Sequence, residues 1–364
     1  MANKIITGSD IKTWKGYAGR PFLISGPCSA ESEEQVMETA RQLAALNKIN
    51  IFRAGIWKPR THPDSFEGIG SEGLKWMRRV KQETGLMTGT EVANERHVYE
   101  ALKYGVDMLW IGARTSVSPL AVQEISNALQ GVDVIVLIKN PVNPDIDLWV
   151  GAFERIARSG ISRFGAIHRG FSAFEKTSYR NQPNWQLPIE LRRRIPDLPI
   201  ICDPSHIGGA RMYLHEISQK ALDLNFDGLM IESHIDPANA LSDSQQQITP
   251  NDLNELLSRL ILRNPDPDDH KLLDILGELR QQIDVYDEHL LDLLEKRMNV
   301  AEKIGRYKKE NNITILQSLR WDEIIKRAID KGASKGLSSE TIDGIFKAIH
   351  QESINRQMKI MNDE

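Results

Sequence analysis

Eight short apolar runs recur between Phe22 and about Ile231, each ending in small, polar or charged residues, and no other feature of this 364-residue chain restricts its fold as strongly. They are PFLIS (21–25), INIF (49–52), LMTGT (86–90), DMLWI (107–111), VIVLI (134–138), RFGAI (163–167), PIICD (199–203) and DGLMI (227–231). Continuously apolar runs suit strands buried on both faces, and the helix-like segments between most of them suit right-handed strand–helix–strand units. A doubly wound open sheet reads similarly from periodicity alone. Eight units point to an α/β TIM (β/α)8 barrel.

The length exceeds what one core usually holds, so a second domain is expected. The stretch NPDPDDH after Arg263 breaks the pattern with two prolines and an acidic cluster. Residues 1–263 are therefore expected to form the barrel domain, 264–270 a linker and 271–364 an all-α three-helix domain. From Lys271 to about Glu310 there is no proline, and Leu276, Leu279, Ile283, Leu290, Leu294, Ala301 and Ile304 repeat at helical spacing. A helix of roughly 40 residues is about 60 Å long, too long to bury its apolar face within its own small domain, so the reading predicts a homodimer or higher homo-oligomer through this domain. Two further helices are expected near 318–333 and 339–361, the latter capped by Ser338 or Ser339.

A formal net charge of -4 gives no sign of nucleic acid or membrane binding. The N-terminus lacks the pattern of a secretory signal, no stretch reaches 18 apolar residues, and the expectation is a cytoplasmic protein. Cys28 and Cys202 are too few for a disulfide scaffold; Cys202, inside its run, is assigned to the core.

Ligands of such barrels gather at the carboxyl ends of the strands, and those ends are unusually cationic. Arg53 follows the second run with Lys58 and Arg60 behind it, Arg114 closes the fourth, Lys139 the fifth and Arg169 the sixth. Six cations at one mouth would repel one another, which implies a polyanion, most simply two phosphates and a carboxylate. A second set, Cys28, His206, Glu232 and Asp243, comes together if strand eight neighbours strand one. Its mixed S/N/O donors suit a divalent transition metal, Mn, Fe or Zn, with affinity alone unable to choose; a buried cysteine and a hydrogen-bonded histidine would explain the same residues without a metal.

GPCSAES (26–32), FRAGIWKPRT (52–61), IGAR (111–114), LIKN (137–140), CDPSH (202–206), IESH (231–234) and ALSDSQQ (240–246) resemble 3-deoxy-D-arabino-heptulosonate 7-phosphate synthase of the type I beta kind, over about residues 15–260. The resemblance implies metal binding by Cys28, His206, Glu232 and Asp243, phosphoenolpyruvate binding by Arg53, Lys58, Arg114, Lys139 and Arg169, and aldose-phosphate binding by Arg60 and Thr61. The implied reaction joins phosphoenolpyruvate to erythrose 4-phosphate and releases phosphate, with Lys58 as proton donor and His168 or His234 positioning a water. His168 departs from the glutamate often found there. The related 8-phosphate synthase, which uses arabinose 5-phosphate, is disfavoured by KPRT.

Residues 270–361 resemble the all-helical (AroQ-type) chorismate mutases. LGELRQQIDVYDEHLLDLLEKRMNVAEKIGRYK lies on that family's first helix, and SLRWDEIIKRA and IFKAIHQESINRQ on the others. This implies Arg280, Arg297, Lys308, Arg320, Ser353 and Gln357 as site residues, with Lys308 and Gln357 donating to the ether oxygen while chorismate rearranges to prephenate without a cofactor. Arg297 and Lys308, 11 residues apart, turn through about 1100° and so share a face, whereas Arg280 is about 100° off it. Arg280 is therefore expected to reach a partner's site. Trp321 and Gln317 stand where family members commonly carry acidic residues. A competing expectation makes this domain a chorismate- or prephenate-sensing dimerisation module, with feedback on the barrel by prephenate.

Overall fold

A computed structural model describes residues 8–59, 66–173, 178–264, 270–316 and 318–362. Arg60, Thr61 and Gln317 lie outside them. The chain divides into two compact units, Met1–Pro265 and Asp266–Glu364. No described helix is long and apolar enough to cross a membrane.

The first unit is a closed parallel barrel. Its strands are β1 (Phe22–Gly26), β2 (Ile51–Arg53), β3 (Met87–Val92), β4 (Met108–Ile111), β5 (Ile135–Lys139), β6 (Phe164–His168), β7 (Ile200–Cys202) and β8 (Gly228–Glu232), in sequence order around the barrel. Closure comes from β8 pairing with β1, where Gly26 lies opposite Glu232. Helices α1 (Glu33–Ala45), α2 (Glu72–Thr84), α3 (Glu95–Lys103), α4 (Pro119–Ala128), α5 (Ile146–Arg158), α6 (Gln186–Arg194), α7 (Pro204–Gly208), α8 (Leu214–Asp223) and α9 (Pro250–Arg259) belong to the same unit. All eight apolar runs are strands, most displaced by about one residue towards their carboxyl ends.

Alternation along each strand separates two cores. Phe22, Ile24, Ile51, Met87, Met108, Trp110, Ile135, Leu137, Ile167, Ile201 and Met230 fill the barrel, with Ile11 and Trp14 packed against them. Residues of the other parity, among them Leu23, Phe52, Leu109, Val136, Ala166, Cys202 and Leu229, join the larger cluster shared with the helices.

The second unit has three helices, α10 (His270–Glu310), α11 (Ser318–Ala333) and α12 (Ser339–Asn362), and α12 packs on both of the others. Ser338 is the cap of α12, its Oγ accepting from Thr341 N at 3.2 Å. The 41 residues of α10 match the expected length. From 272 to 297 none of its residues is buried, and Met298 is the first that is. Ile275, Leu279, Ile283 and Leu290 are each at least half exposed.

Candidate functional sites

Counting by twos up each interior column of the barrel leads to a side chain with chemistry. Ile24 leads through Gly26 to Cys28, Ile51 to Arg53, Met87 through Gly89 to Glu91, and Trp110 through Gly112 to Arg114. Leu137 leads to Lys139, Ile167 to Arg169, Ile201 to Asp203 and Met230 to Glu232. The same two-residue period that fills the core thus presents eight functional groups at the mouth. Lys58, Glu91, Arg114, Lys139, Arg169, Arg180, His206 and Asp243 line one cleft there.

Glycines let the β1 and β2 ends approach. Gly26 has φ 147°, and a Cβ on it would stand 2.0 Å from Arg53 O. A Cβ on Gly55 would meet Cys28 O at 2.6 Å. Only without side chains at these points can Cys28 and Lys58 share a wall. Lys58 Nζ donates to Cys28 O at 2.8 Å and lies 2.9 Å from its Sγ.

The donor atoms of Cys28, Glu232 and Asp243 all lie within 4.8 Å of one another. Cys28 Sγ is 3.2 Å from Asp243 Oδ2, and His206 Nε2 is 3.7 Å from Glu232 Oε1. Asp203 caps α7, accepting from His206 N at 3.1 Å, and its Oδ2 stands 2.8 Å from His206 Nδ1. That contact orients the ring so that Nε2 is left for a ligand. Glu232 Oε1 is buried and accepts no hydrogen bond among the described residues, whereas Oε2 accepts from Gln246 Nε2 at 2.7 Å. A buried carboxylate oxygen left open beside a thiol, a carboxylate and an imidazole is a donor set that fits a divalent transition metal.

Burial, followed by the charge of Glu232, pushes the Cys28 thiol up to about 12. Burial would raise Glu232 and Asp243 too. In both it is outweighed, by His206, Arg53 and Lys58 for Glu232 and by His206, Arg180 and Lys58 for Asp243, so each is held below the usual carboxylate range. Burial lowers His206 against the opposing pull of Asp203 and Glu232. Lys58 is raised despite burial, because Cys28 and Glu232 outweigh it.

The anion side is equally specific. Arg53 is 1% exposed, lies 4.9 Å over the Trp110 ring, and keeps Nε and Nη1 without a hydrogen-bond acceptor among the described residues. Nη1 comes within 3.4 Å of Glu232 Oε1. Lys139 pairs with Asp203 at 2.9 Å, and Arg169 donates to Asn181 Oδ1 at 2.7 Å. Burial lowers Arg169 to about 10, so it remains a cation at neutral pH. Buried guanidinium hydrogens with no acceptor are costly unless an anion arrives.

The structure thus gathers Cys28, Arg53, Lys58, Arg114, Lys139, Arg169, His206, Glu232 and Asp243 around one mouth. It does not bring His168 there. That ring is fully buried on the outer side of β6, 5.2 Å from Trp185 and 5.8 Å from Phe171, and burial pushes it down to about 3. Its parity is that of Ala166, not of Ile167. His234 is not among the cleft residues either; its Nδ1 accepts from Asp236 N at 2.9 Å. Sequence reasoning missed Glu91, Asp203 and Arg180. Glu91 was hidden because β3 runs past Thr90, while Asp203 was visible as the last residue of its run. Arg180, which donates to Asp243 Oδ1 at 2.9 Å, follows no strand, and no local signal marked it.

In the helical unit, Arg297 Nη1 donates to Ser353 Oγ at 2.6 Å. Gln357 is 8% exposed; its Nε2 donates to Ser353 O at 3.2 Å, and its buried Oε1 has no partner among the described residues. Lys308 Nζ donates to Ile315 O at 2.6 Å. Two other expected site residues lie outside this cluster. Arg280 is exposed, and Arg320, 59% exposed, pairs with Glu323 at 2.9 Å.

Comparison with known proteins gives two matches along the chain. Residues 4–262 match the DAHP synthetase I family, and residues 279–358 match chorismate mutase type II. A phospho-2-dehydro-3-deoxyheptonate aldolase of Thermotoga maritima is 32% identical over 273 residues, 75% of this chain and 75% of that protein. A 2-dehydro-3-deoxyphosphooctonate aldolase of Variovorax paradoxus is 28% identical over 263 residues, 66% of this chain and 89% of the relative. The crystal structure of the DAHP synthase of Thermotoga maritima superposes with a TM-score of 0.59 at 31% identity, covering 70% of each chain. A truncated form of 3-deoxy-D-arabino-heptulosonate 7-phosphate synthase from the same organism gives 0.59 at 29%, covering 75% of this chain and 94% of that one.

Proposed function

The chain belongs to the DAHP synthetase I family and carries a chorismate mutase type II domain, and from that premise we propose how each unit performs its reaction. Residues 1–263 condense phosphoenolpyruvate with erythrose 4-phosphate, 264–270 connect, and 271–364 convert chorismate to prephenate. The observation that supports the first reaction best is Arg53, buried at the end of a barrel strand with Nε and Nη1 making no hydrogen bond, and only Glu232 as ion-pair partner, among the described residues. Arg53, Lys58, Arg114, Lys139 and Arg169 hold phosphoenolpyruvate, and Arg60 and Thr61 take the phosphate of the aldose. Holding two anions in near-attack geometry removes the entropy cost of their encounter.

Cys28, His206, Glu232 and Asp243 would hold a divalent metal, Mn, Fe or Zn. When bound, it supplies Lewis acidity towards the aldehyde oxygen. Lys58, whose ammonium form is favoured, stabilises negative charge and donates a proton. The water that adds before phosphate departs is assigned to Glu91, which lines the cleft and is tethered by Trp110 Nε1 at 3.0 Å.

For the second reaction, Arg297 and Arg320 grip the carboxylates of chorismate, Ser353 fixes Arg297, and Lys308 and Gln357 donate to the ether oxygen. The Gln357 amide turns from Ser353 O to do so. Arg280 comes from a second protomer. The helical unit's thin core supports a homodimer. Met298, Ala301 and Ile342 are its buried apolar side chains among the described residues. Each contributes at most about 1.5–3 kcal/mol, whereas ordering each residue costs about 1–2 kcal/mol. A second copy lying along the exposed stripe of α10 would make up the deficit.

The exposure of Arg280 and Arg320 in the single chain favours a second reading, in which this unit senses chorismate or prephenate and regulates the barrel. Chorismate disappearance, followed by ultraviolet absorbance on the purified full-length chain, separates the two. Turnover is the expected result. Binding without turnover would make the unit a sensor, and an unchanged condensation rate at saturating prephenate would remove feedback.

A further inference from the structure

Residues 350, 353 and 357 of α12 are spaced i, i+3, i+7 and share one helix face. Ser353 on that face receives Arg297, and Gln357 is buried beside it. The third member, His350, differs in having no part in the assigned chemistry. Its Nε2 is buried without a hydrogen-bond partner among the described residues, as is Gln357 Oε1. Unpartnered polar atoms on the face that carries a binding cluster are costly unless a ligand completes them.

The imidazole is also held in place. It stacks on the indole of Trp321 from α11, with ring centroids 3.9 Å apart and planes inclined by 14°. Burial, and then Arg297, lower its pKa, which favours the neutral ring.

Resting on the mutase reading above, the ligand is a dicarboxylate with an ether oxygen and a ring hydroxyl. The arginines suit the carboxylates, and Lys308 and Gln357 the ether oxygen. The hydroxyl is left, and it wants a neutral partner able to give or take a hydrogen bond. We infer that His350 contacts this hydroxyl through Nε2, and that Trp321 is the positioning residue that fixes the imidazole plane. A hydroxyl both donates and accepts, so either neutral tautomer of His350 can pair with it. Trp321 thereby has a role at the position where an acidic residue is common: it supports the hydrogen-bonding group instead of supplying one.

The test measures kcat and KM for chorismate on full-length protein, with condensation of phosphoenolpyruvate and erythrose 4-phosphate assayed on the same samples. His350→Phe keeps the stack and removes the nitrogen; kcat/KM should fall roughly 10- to 100-fold, the range for leaving a buried hydrogen-bonding group unpaired. Trp321→Ala should lower it as well and Trp321→Phe restore most of it, while condensation is unchanged throughout. A His350→Phe protein within about twofold of the wild type would overturn the inference. Inactivity of the wild type towards chorismate would instead sink the mutase reading and this inference with it, a failure visible before any substitution is made.

Discussion

The two units build their sites by opposite means. In the barrel, eight strands carry interior columns that end at one mouth, and closure between β1 and β8 sets Gly26 opposite Glu232. These groups meet within one chain, because the sheet fixes both the direction and the height of every side chain. In the helical unit, α10 and α12 bring Arg297, Ser353 and Gln357 together, yet Arg280, Arg320 and most of the apolar face of α10 stay exposed. A closed sheet completes itself, whereas a 41-residue helix projects beyond what its own unit can cover. The difference teaches that a closed sheet gathers distant residues within one chain, whereas a long helix spreads its residues along an axis that its own unit only partly covers.

The sharpest way to break this comparison is to damage one site and read both activities. Glu232→Gln should lower condensation by about three orders of magnitude or more, since it removes both a metal-binding charge and the partner of buried Arg53, and chorismate conversion should persist. Loss of both activities would mean the units are not independent. Removing divalent metal with a chelator should do the same reversibly, with Mn, Fe or Zn restoring condensation and leaving the mutase rate unmoved throughout.

The reciprocal substitution, Arg297→Ala, should cost chorismate turnover roughly 10²- to 10³-fold, the size expected for one preorganised charged donor. Condensation is the internal control and should be unchanged. A milder effect is expected from Ile283→Asp, which puts a charge on the exposed stripe of α10. Sedimentation should show a smaller assembly, and chorismate turnover should drop several-fold as Arg280 of the second protomer is withdrawn. An unaltered assembly would show that α10 is covered some other way. The smallest effect belongs to Ser338→Ala, which deletes the cap of α12 and should destabilise the helical unit by about 1 kcal/mol, read as a shift in the helical unit's thermal transition.

Strand existence was legible because each strand is buried on both faces, which leaves continuous apolar runs that no exposed segment would carry. The cations were legible for a related reason: charged residues directly after such runs have few places to go except the barrel mouth. Glu91 and Asp203 follow the same two-residue period, and strand ends drawn one residue later would have included the first. His168, one of the two histidines expected to position a water, stands next to Arg169 in the chain but not in space. Neighbouring residues of a strand point to opposite sides, so His168 joins the aromatic layer under α6 while Arg169 faces the cleft. In the helical domain, helix lengths and the shared face of 350, 353 and 357 were readable from spacing. The Trp321–His350 stack was not, since it joins two helices whose relative rotation no periodicity specifies.

The kinds of element, their order and the division into a barrel and a helical unit were set by the sequence alone, because these depend on local burial pattern and on motifs contiguous in the chain. Only the tertiary structure decided which groups touch: Cys28 beside Asp243 and Lys58, Asp203 orienting His206, Arg180 reaching Asp243, His350 lying on Trp321. Those contacts span up to 215 residues of chain. They arise from closing a sheet and packing helices at particular angles, which are collective results of the whole core and leave no mark on any single stretch of sequence.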